Sequence, residues 1–187
     1  MVILQQDGRL QGSILNIIKT YNSATESELQ EGKSWYRVAN STAIELHPQG
    51  AAIIAALSPN KDWDRNIQAA IELVNTGRTT ATLPINKHKA IRIINGEDPL
   101  KVLRGNKVLA FHRALAGDIT SVVIDRHAHR VYKGDKVTKV ERRGLDRIGA
   151  YDFIADAYKR ASNILGVPAQ IVQSVTWVVV RNKNREQ

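Results

Sequence analysis

With 187 residues, 43% of them hydrophobic, the chain is long enough for one domain with a substantial core. Lys and Arg number 27 against 18 Asp and Glu, a formal net charge of +9 and a pI near 9.9, which points to a polyanionic partner, nucleic acid before membrane. The absence of cysteine excludes disulfides, thiolate zinc sites and iron–sulfur clusters. The longest apolar runs, residues 51–57 and 175–180, are too short to span a bilayer, and no charged-then-apolar leader opens the chain, so secretion is not expected.

Residues 1–12 are expected to be a loosely held start. Ser13 is read as the cap of a helix reaching about Tyr21, with Ile14, Ile17 and Ile18 on one face. Ser23 or Thr25 can cap a second helix, with Glu26 and Glu28 in the first turn where the helix dipole favours them. A break is expected near Gly32. The pattern resumes through Trp35, Val38, Ala39, Ala43 and Leu46 and stops at Pro48. Residues 49–57 are apolar nearly all round, the mark of a buried helix. Ser58-Pro59-Asn60-Lys61-Asp62 is a turn, and residues 63–74 form an amphipathic helix through Ile67, Ala70, Ile71 and Val74.

Residues 76–84 read as a loop, and 87–94 as a basic helix ended by Asn95-Gly96. Pro99 starts a short turn, which Gly105 separates from a helix over 106–115. The β-branched run 120–124 is read as a buried extended segment leading into a helix at Asp125. Residues 133–143 are a charged loop. Residues 151–165 form a helix with Phe153, Ile154, Ala157, Tyr158, Ala161 and Leu165 inward, ended by Gly166. Pro168 opens the last helix, with Ile171, Val172, Val175, Val178 and Val179 as its apolar side, before a basic tail. The fold class is therefore all-α: residues 1–187 as one helical domain, in two helical lobes with a cleft between them.

Common catalytic motifs are missing: no phosphate-binding loop, dinucleotide turn, zinc-protease helix or nucleophile elbow occurs. His127 and His129 fall about 200° apart on a helix, which argues against a shared metal. Taken singly, Asp125 reads as an N-cap, Lys107 as a solvated lysine and Asn60 as a turn residue. Trp35, Trp63 and Trp177 read as core packing, and nothing selects among Tyr36, Tyr132 and Tyr151 as stacking platforms.

Gly105-Asn106-Lys107 is followed, 18 residues after the lysine, by Asp125-Arg126-His127-Ala128-His129-Arg130. This pair of segments resembles the helix-hairpin-helix, Gly/Pro-Asp superfamily of DNA glycosylases, which includes endonuclease III and the adenine glycosylases. Residues 53–70 (IIAALSPNKDWDRNIQAA) are similar to that family's apolar helix, polar turn and following helix, and residues 86–94 to the lysine-bearing helix before its hairpin. The resemblance covers about residues 50–132, the glycosylase-like core, with the N- and C-terminal helices forming the second lobe. The hairpin, usually Leu-Pro-Gly-x-Gly, reads Lys101-Val102-Leu103-Arg104-Gly105 here. Without cysteines the chain would be a compact, divergent, bacteriophage-type member with no cluster and no other cofactor.

The resemblance implies a helix-hairpin-helix element near residues 98–115 and double-stranded DNA carrying a damaged, modified or abasic nucleotide as partner. It implies a monomer in the cytoplasm, at the nucleoid of a bacterial or infected host cell. Asp125 would be the essential carboxylate and Lys107 the nucleophile of an abasic-site lyase step. DNA would be met by Ser58, Asn60, Lys61, Arg104, Gly105, Asn106, Arg126, His127 and Arg130, with Asn60 entering the base stack. The chemistry suits these residues. A base is flipped out of the duplex before attack. Cleaving its N-glycosidic bond builds positive charge on the sugar, which a carboxylate stabilises. A lysine amine can attack C1′ and form a Schiff base. Two alternatives remain: a bacteriophage base-hypermodification enzyme on the same fold, and a non-catalytic DNA-binding module.

Overall fold

The structure, a computed structural model, describes residues 2–134, 145 and 149–183. The described residues form ten helices and no strand, so the fold is all-α. They are α1 (Val2–Asn22), α2 (Glu26–Leu46), α3 (Gly50–Leu57), α4 (Trp63–Thr76), α5 (Pro84–Ile94), α6 (Pro99–Val102), α7 (Asn106–Leu115), α8 (Arg126–Lys133), α9 (Ala150–Leu165) and α10 (Ala169–Lys183). Among these residues no single helix is long and apolar enough to cross a membrane. The chain divides into two compact units: a first unit of Met1–Tyr36 with Ile119–Gln187, and a second unit of Arg37–Asp118.

Helix ends in the second unit follow the cap chemistry of the sequence. Asp62 accepts the Arg65 N–H at the start of α4, and Gly77, in the left-handed region at φ 69°, closes it. Pro84 and Pro99 each sit at the start of a helix, where no intrahelical N–H is needed, and Asp98 caps α6 through the Leu100 N–H. At the centre lies α3, GAAIIAAL, with seven buried residues, packed against α4, α5 and α7. A helix apolar on every face has no solvent side, so its neighbours surround it. Truncating Leu57, which is fully buried, to Ala would cost about 2–5 kcal/mol.

In the first unit α1 packs against α8, α9 and α10, and α10 against α8 and α9. The polar residues of α10 allow it to be buried widely. Ser174 Oγ donates to Gly32 O at 2.7 Å, Thr176 Oγ1 to Val172 O at 2.9 Å, and Gln173 Oε1 accepts from Tyr36 OH at 2.9 Å. No buried hydroxyl or amide among these three is left without a partner, as burial demands.

Three local expectations are revised and one open choice is settled. The first helix opens at Val2, and Ser13 lies inside it, buried, rather than capping it. Thr25, not Ser23, caps α2: its hydroxyl accepts the Glu28 N–H while Glu28 Oε2 accepts the Thr25 N–H, a reciprocal capping box. Gly32 does not interrupt α2. It lies where a Cβ would strike the Val175 backbone, so this glycine serves close helix approach, not a break. Phe153 and Val38 are exposed, because each lies just off the buried stripe of its helix. The 133–143 loop and the last residues of the basic tail lie largely outside the described residues.

Gly50 is as tightly placed as Gly32: a Cβ there would overlap Ala43 O, whereas one on Gly12 would meet nothing. Gly32→Ala and Gly50→Ala should each lose about 1–3 kcal/mol in urea unfolding. Gly12→Ala, in an exposed stretch of α1, should gain about 0.5–1 kcal/mol.

Candidate functional site

Asp125 lies in the first unit at the junction of an extended segment and α8. Val122, Val123 and Ile124 are buried. Tyr151 OH fixes their course by donating to Val122 O at 3.0 Å and accepting the Ile124 N–H at 2.9 Å. The segment therefore needs no partner strand: one phenol satisfies a carbonyl and an amide two residues apart. Asp125 then takes an extended conformation and caps α8, its Oδ1 accepting the His127 and Ala128 N–H groups, both at 2.9 Å.

The other carboxylate oxygen accepts the Trp177 indole N–H at 3.1 Å. Trp177 is itself held on several sides. Its ring tilts against Trp35 at 5.5 Å, meets the His127 edge at 6.2 Å, and lies under the Arg181 guanidinium at 4.8 Å. Arg181 NH2 is bound to both carboxylate oxygens of Glu31, at 2.7 and 2.9 Å. A chain of contacts thus runs Glu31–Arg181–Trp177–Asp125 and joins α2, α10 and α8.

Three donated N–H bonds meet a carboxylate with about four acceptor positions, so roughly one stays open on Asp125. Asp125 is half-buried and makes no ion pair among the described residues. Its charge is felt nearby. Burial chiefly raises the phenol pKa values of Tyr36, Tyr151 (to about 12) and Tyr158, and the Asp125 charge pushes each further up. Tyr158 OH donates to Ala128 O at 3.1 Å, which holds the first turn of α8. Such an arrangement can present a fixed negative charge with one free acceptor position to a developing cation or a water molecule.

The basic neighbours on α8 differ in placement. Arg126 is exposed, and its Nε donates to His127 Nε2 at 3.2 Å. His127 and Arg130 are half-buried. No group of three His, Asp or Glu able to hold a metal occurs among the described residues.

Lys107 belongs to the second unit. A short α6, the link Leu103-Arg104-Gly105 and α7 follow one another. Leu103 is fully buried, and Gly105, at φ 88°, makes the turn that L side chains resist. Gly105, Asn106 and Lys107 are exposed, with Lys107 in the first turn of α7. Arg104 folds back on its own turn, donating to Leu103 O at 2.8 Å and Leu100 O at 3.2 Å. The far end of α7 is pinned by Asn40 Nδ2 on Leu115 O at 2.6 Å.

The turn between α3 and α4 carries the other expected contacts. Asn60 is exposed at its tip with φ 63°, the only positive φ among described non-glycine residues. Ser58 is buried and its hydroxyl donates to Ala55 O at 2.9 Å, which leaves it closing α3 rather than facing a ligand. Lys61 is half-buried.

The chain belongs to a family of unknown function, DUF7178, which it matches over residues 2–184. No curated protein and no solved structure matches it. The family description assigns no chemistry, so the functional reading rests on the residues themselves. Tyr36 and Tyr151 are excluded as stacking platforms, since both are buried with their hydroxyls engaged. Trp177, read as core packing, instead binds the candidate carboxylate. Nothing local signals this, because the two residues are 52 positions apart.

Trp177→Phe keeps the ring contacts and removes the N–H donor. It should cost about 1.5–3 kcal/mol of stability by denaturant unfolding, the range for a hydrogen bond to a charged group. Two histidines give a pH signature. Burial chiefly lowers the pKa of His127 and of His112 below the ordinary 6.5. Both therefore stay neutral to a lower pH when folded and take up protons more readily when unfolded. Stability is complete above pH 6.5 and is lost as pH falls below it towards the lowered values. The melting temperature should drop over that window, and His127→Gln with His112→Gln should flatten the drop.

Proposed function

We propose that the protein is a DNA glycosylase that flips a modified or mispaired base and cleaves its N-glycosidic bond. The observation that carries this reading is the Asp125 carboxylate, fixed by three N–H donors, with no ion pair among the described residues and about one acceptor position left over by those donors. A paired carboxylate would have its charge answered already, whereas this one can answer charge that develops on a sugar. In the reaction, water attacks C1′ as the C1′–N bond breaks. Asp125 stabilises the cationic sugar and accepts a water proton, and the base leaves with the bonding electrons and takes up a proton. Free base and an abasic site result.

The resemblance of residues 105–107 and 125–130 to the helix-hairpin-helix glycosylases supports the same reading, as does the succession of short helix, glycine turn and helix ahead of Lys107. The net charge of +9 suits a DNA backbone. Lys107 is the amine of an accompanying lyase step. It attacks C1′ of the abasic aldehyde and loses water to form an imine, and elimination then breaks the 3′ C–O bond.

A panel of duplexes bearing uracil, oxidised, alkylated and abasic sites tests the reading. Free base should be released from at least one lesion duplex. Borohydride should trap a covalent adduct on abasic DNA that Lys107→Ala loses. Binding that is salt-sensitive but indifferent to lesion, with no base released, would instead make the protein a DNA-binding module. A new nucleoside mass would make it a base-modifying enzyme.

A further inference from the structure

A groove of about 730 Å³ lies wholly within the second unit. Its floor is one face of α4, where Arg65, Gln68, Ala69 and Glu72 recur at helical spacing. One wall is the turn Pro59-Asn60-Lys61 and the other the loop from Thr80 to Leu83. The loop is shaped by Thr79, whose buried hydroxyl accepts the Ala81 N–H at 3.2 Å.

Two polar groups of these walls are unanswered. Lys61 Nζ and Thr82 Oγ1 are both shielded from solvent, and neither has a hydrogen-bond partner among the described residues. An ammonium cut off from water with no acceptor is costly, and mutational data rarely show such a group without a reason. Burial lowers the Lys61 pKa, and no carboxylate offsets it. The nearest acid along the chain, Asp62, is occupied: it caps α4 and lies 3.5 Å from Arg65 Nε. The lysine stem is long and rotatable, so a small rotation about it carries Nζ to the groove surface.

We propose that Lys61 and Thr82 form a phosphate-binding subsite in this groove, which gives the DNA contact expected of Lys61 a definite chemistry and does not depend on the Asp125 reaction. Lys61 supplies up to three donors and Thr82 a hydroxyl, with the Arg65 guanidinium on the adjoining face. Pro59, Ala69, Ala81 and Leu83 give the apolar surface on which a nucleoside can rest. Glu72, at the far end of the α4 face, disfavours a second phosphate and limits the ligand to one anionic group at the Lys61 end. The ligand is thus a phosphate joined to a nucleoside, either a free nucleoside monophosphate or one phosphodiester of a flexible strand.

Amide NMR titration of the full chain with inorganic phosphate, thymidine monophosphate and a short single-stranded oligonucleotide tests this, with chloride at matched ionic strength as control. The amides of Lys61 and Thr82 should shift saturably with the nucleotide or the oligonucleotide, at millimolar affinity or tighter. Lys61→Gln should weaken that binding at least about tenfold. Neither Lys61 Nζ nor Thr82 Oγ1 makes a hydrogen bond among the described residues, so Lys61→Gln and Thr82→Val should melt at or above the parental temperature. Tighter saturation by the oligonucleotide identifies a strand, and equal saturation by the mononucleotide identifies a free nucleotide; both support the subsite. The proposal is overturned if no phosphate-bearing probe gives shifts beyond chloride, which would leave water alone at these groups. It is equally overturned if both variants bind as the parent does.

Discussion

The bond between the Trp177 indole and the free oxygen of Asp125 sets the character of the first unit. Capping of α8 alone would use one carboxylate oxygen and leave the other to rotate and hydrate. The indole N–H removes that freedom. Trp177 can do so only because Trp35, His127 and the Arg181–Glu31 pair fix its ring. The tyrosines complete the frame: Tyr151 holds the segment before Asp125, Tyr158 the turn after it, and Tyr36 ties α2 to α10. A carboxylate held in this way undergoes little reorganisation when a positive charge forms beside it, which is the physical basis of electrostatic catalysis.

Structural and chemical roles coincide at this position. As an N-cap Asp125 stabilises α8 by about 1 kcal/mol, and Asn would serve that role nearly as well. An Asn side chain, however, is neutral and cannot stabilise a cationic sugar or accept a proton from water. In the proposed reaction the requirement for aspartate is therefore set by charge, not by the fold. Lys107 has the opposite profile. It is exposed in the first turn of α7 and contributes little to packing, so in the proposed reaction its value lies in the amine alone.

Local features were legible in the sequence. The all-α class, the apolar α3, the Pro99 start of α6, the Gly166 end of α9 and the Asp125 cap all follow from residue type and spacing. What escaped depends on contacts distant along the chain. Gly32 reads as a helix break until Val175 is found against it. Ser13 reads as a cap because hydroxyls usually end helices, yet packing of α1 carries the helix through it. Trp177 reads as core because an indole among valines usually is, and only the fold brings its N–H to Asp125. The Asp125 motif was visible in the sequence, while the aromatic frame that gives it chemical meaning was not. Ser58 shows the converse: a polar residue in a promising turn that the fold turns inward.

The central claim is that the charge of Asp125 drives glycosidic cleavage. Single-turnover base release by Asp125→Asn, measured beside duplex affinity on the lesion duplex the parent cleaves fastest, tests it most directly. The account predicts release slowed at least about 100-fold with affinity unchanged, because the Asn oxygen can still cap α8 while the charge, and the acceptor that met the indole N–H, are lost. Base release by Asp125→Asn at the parental rate would contradict it.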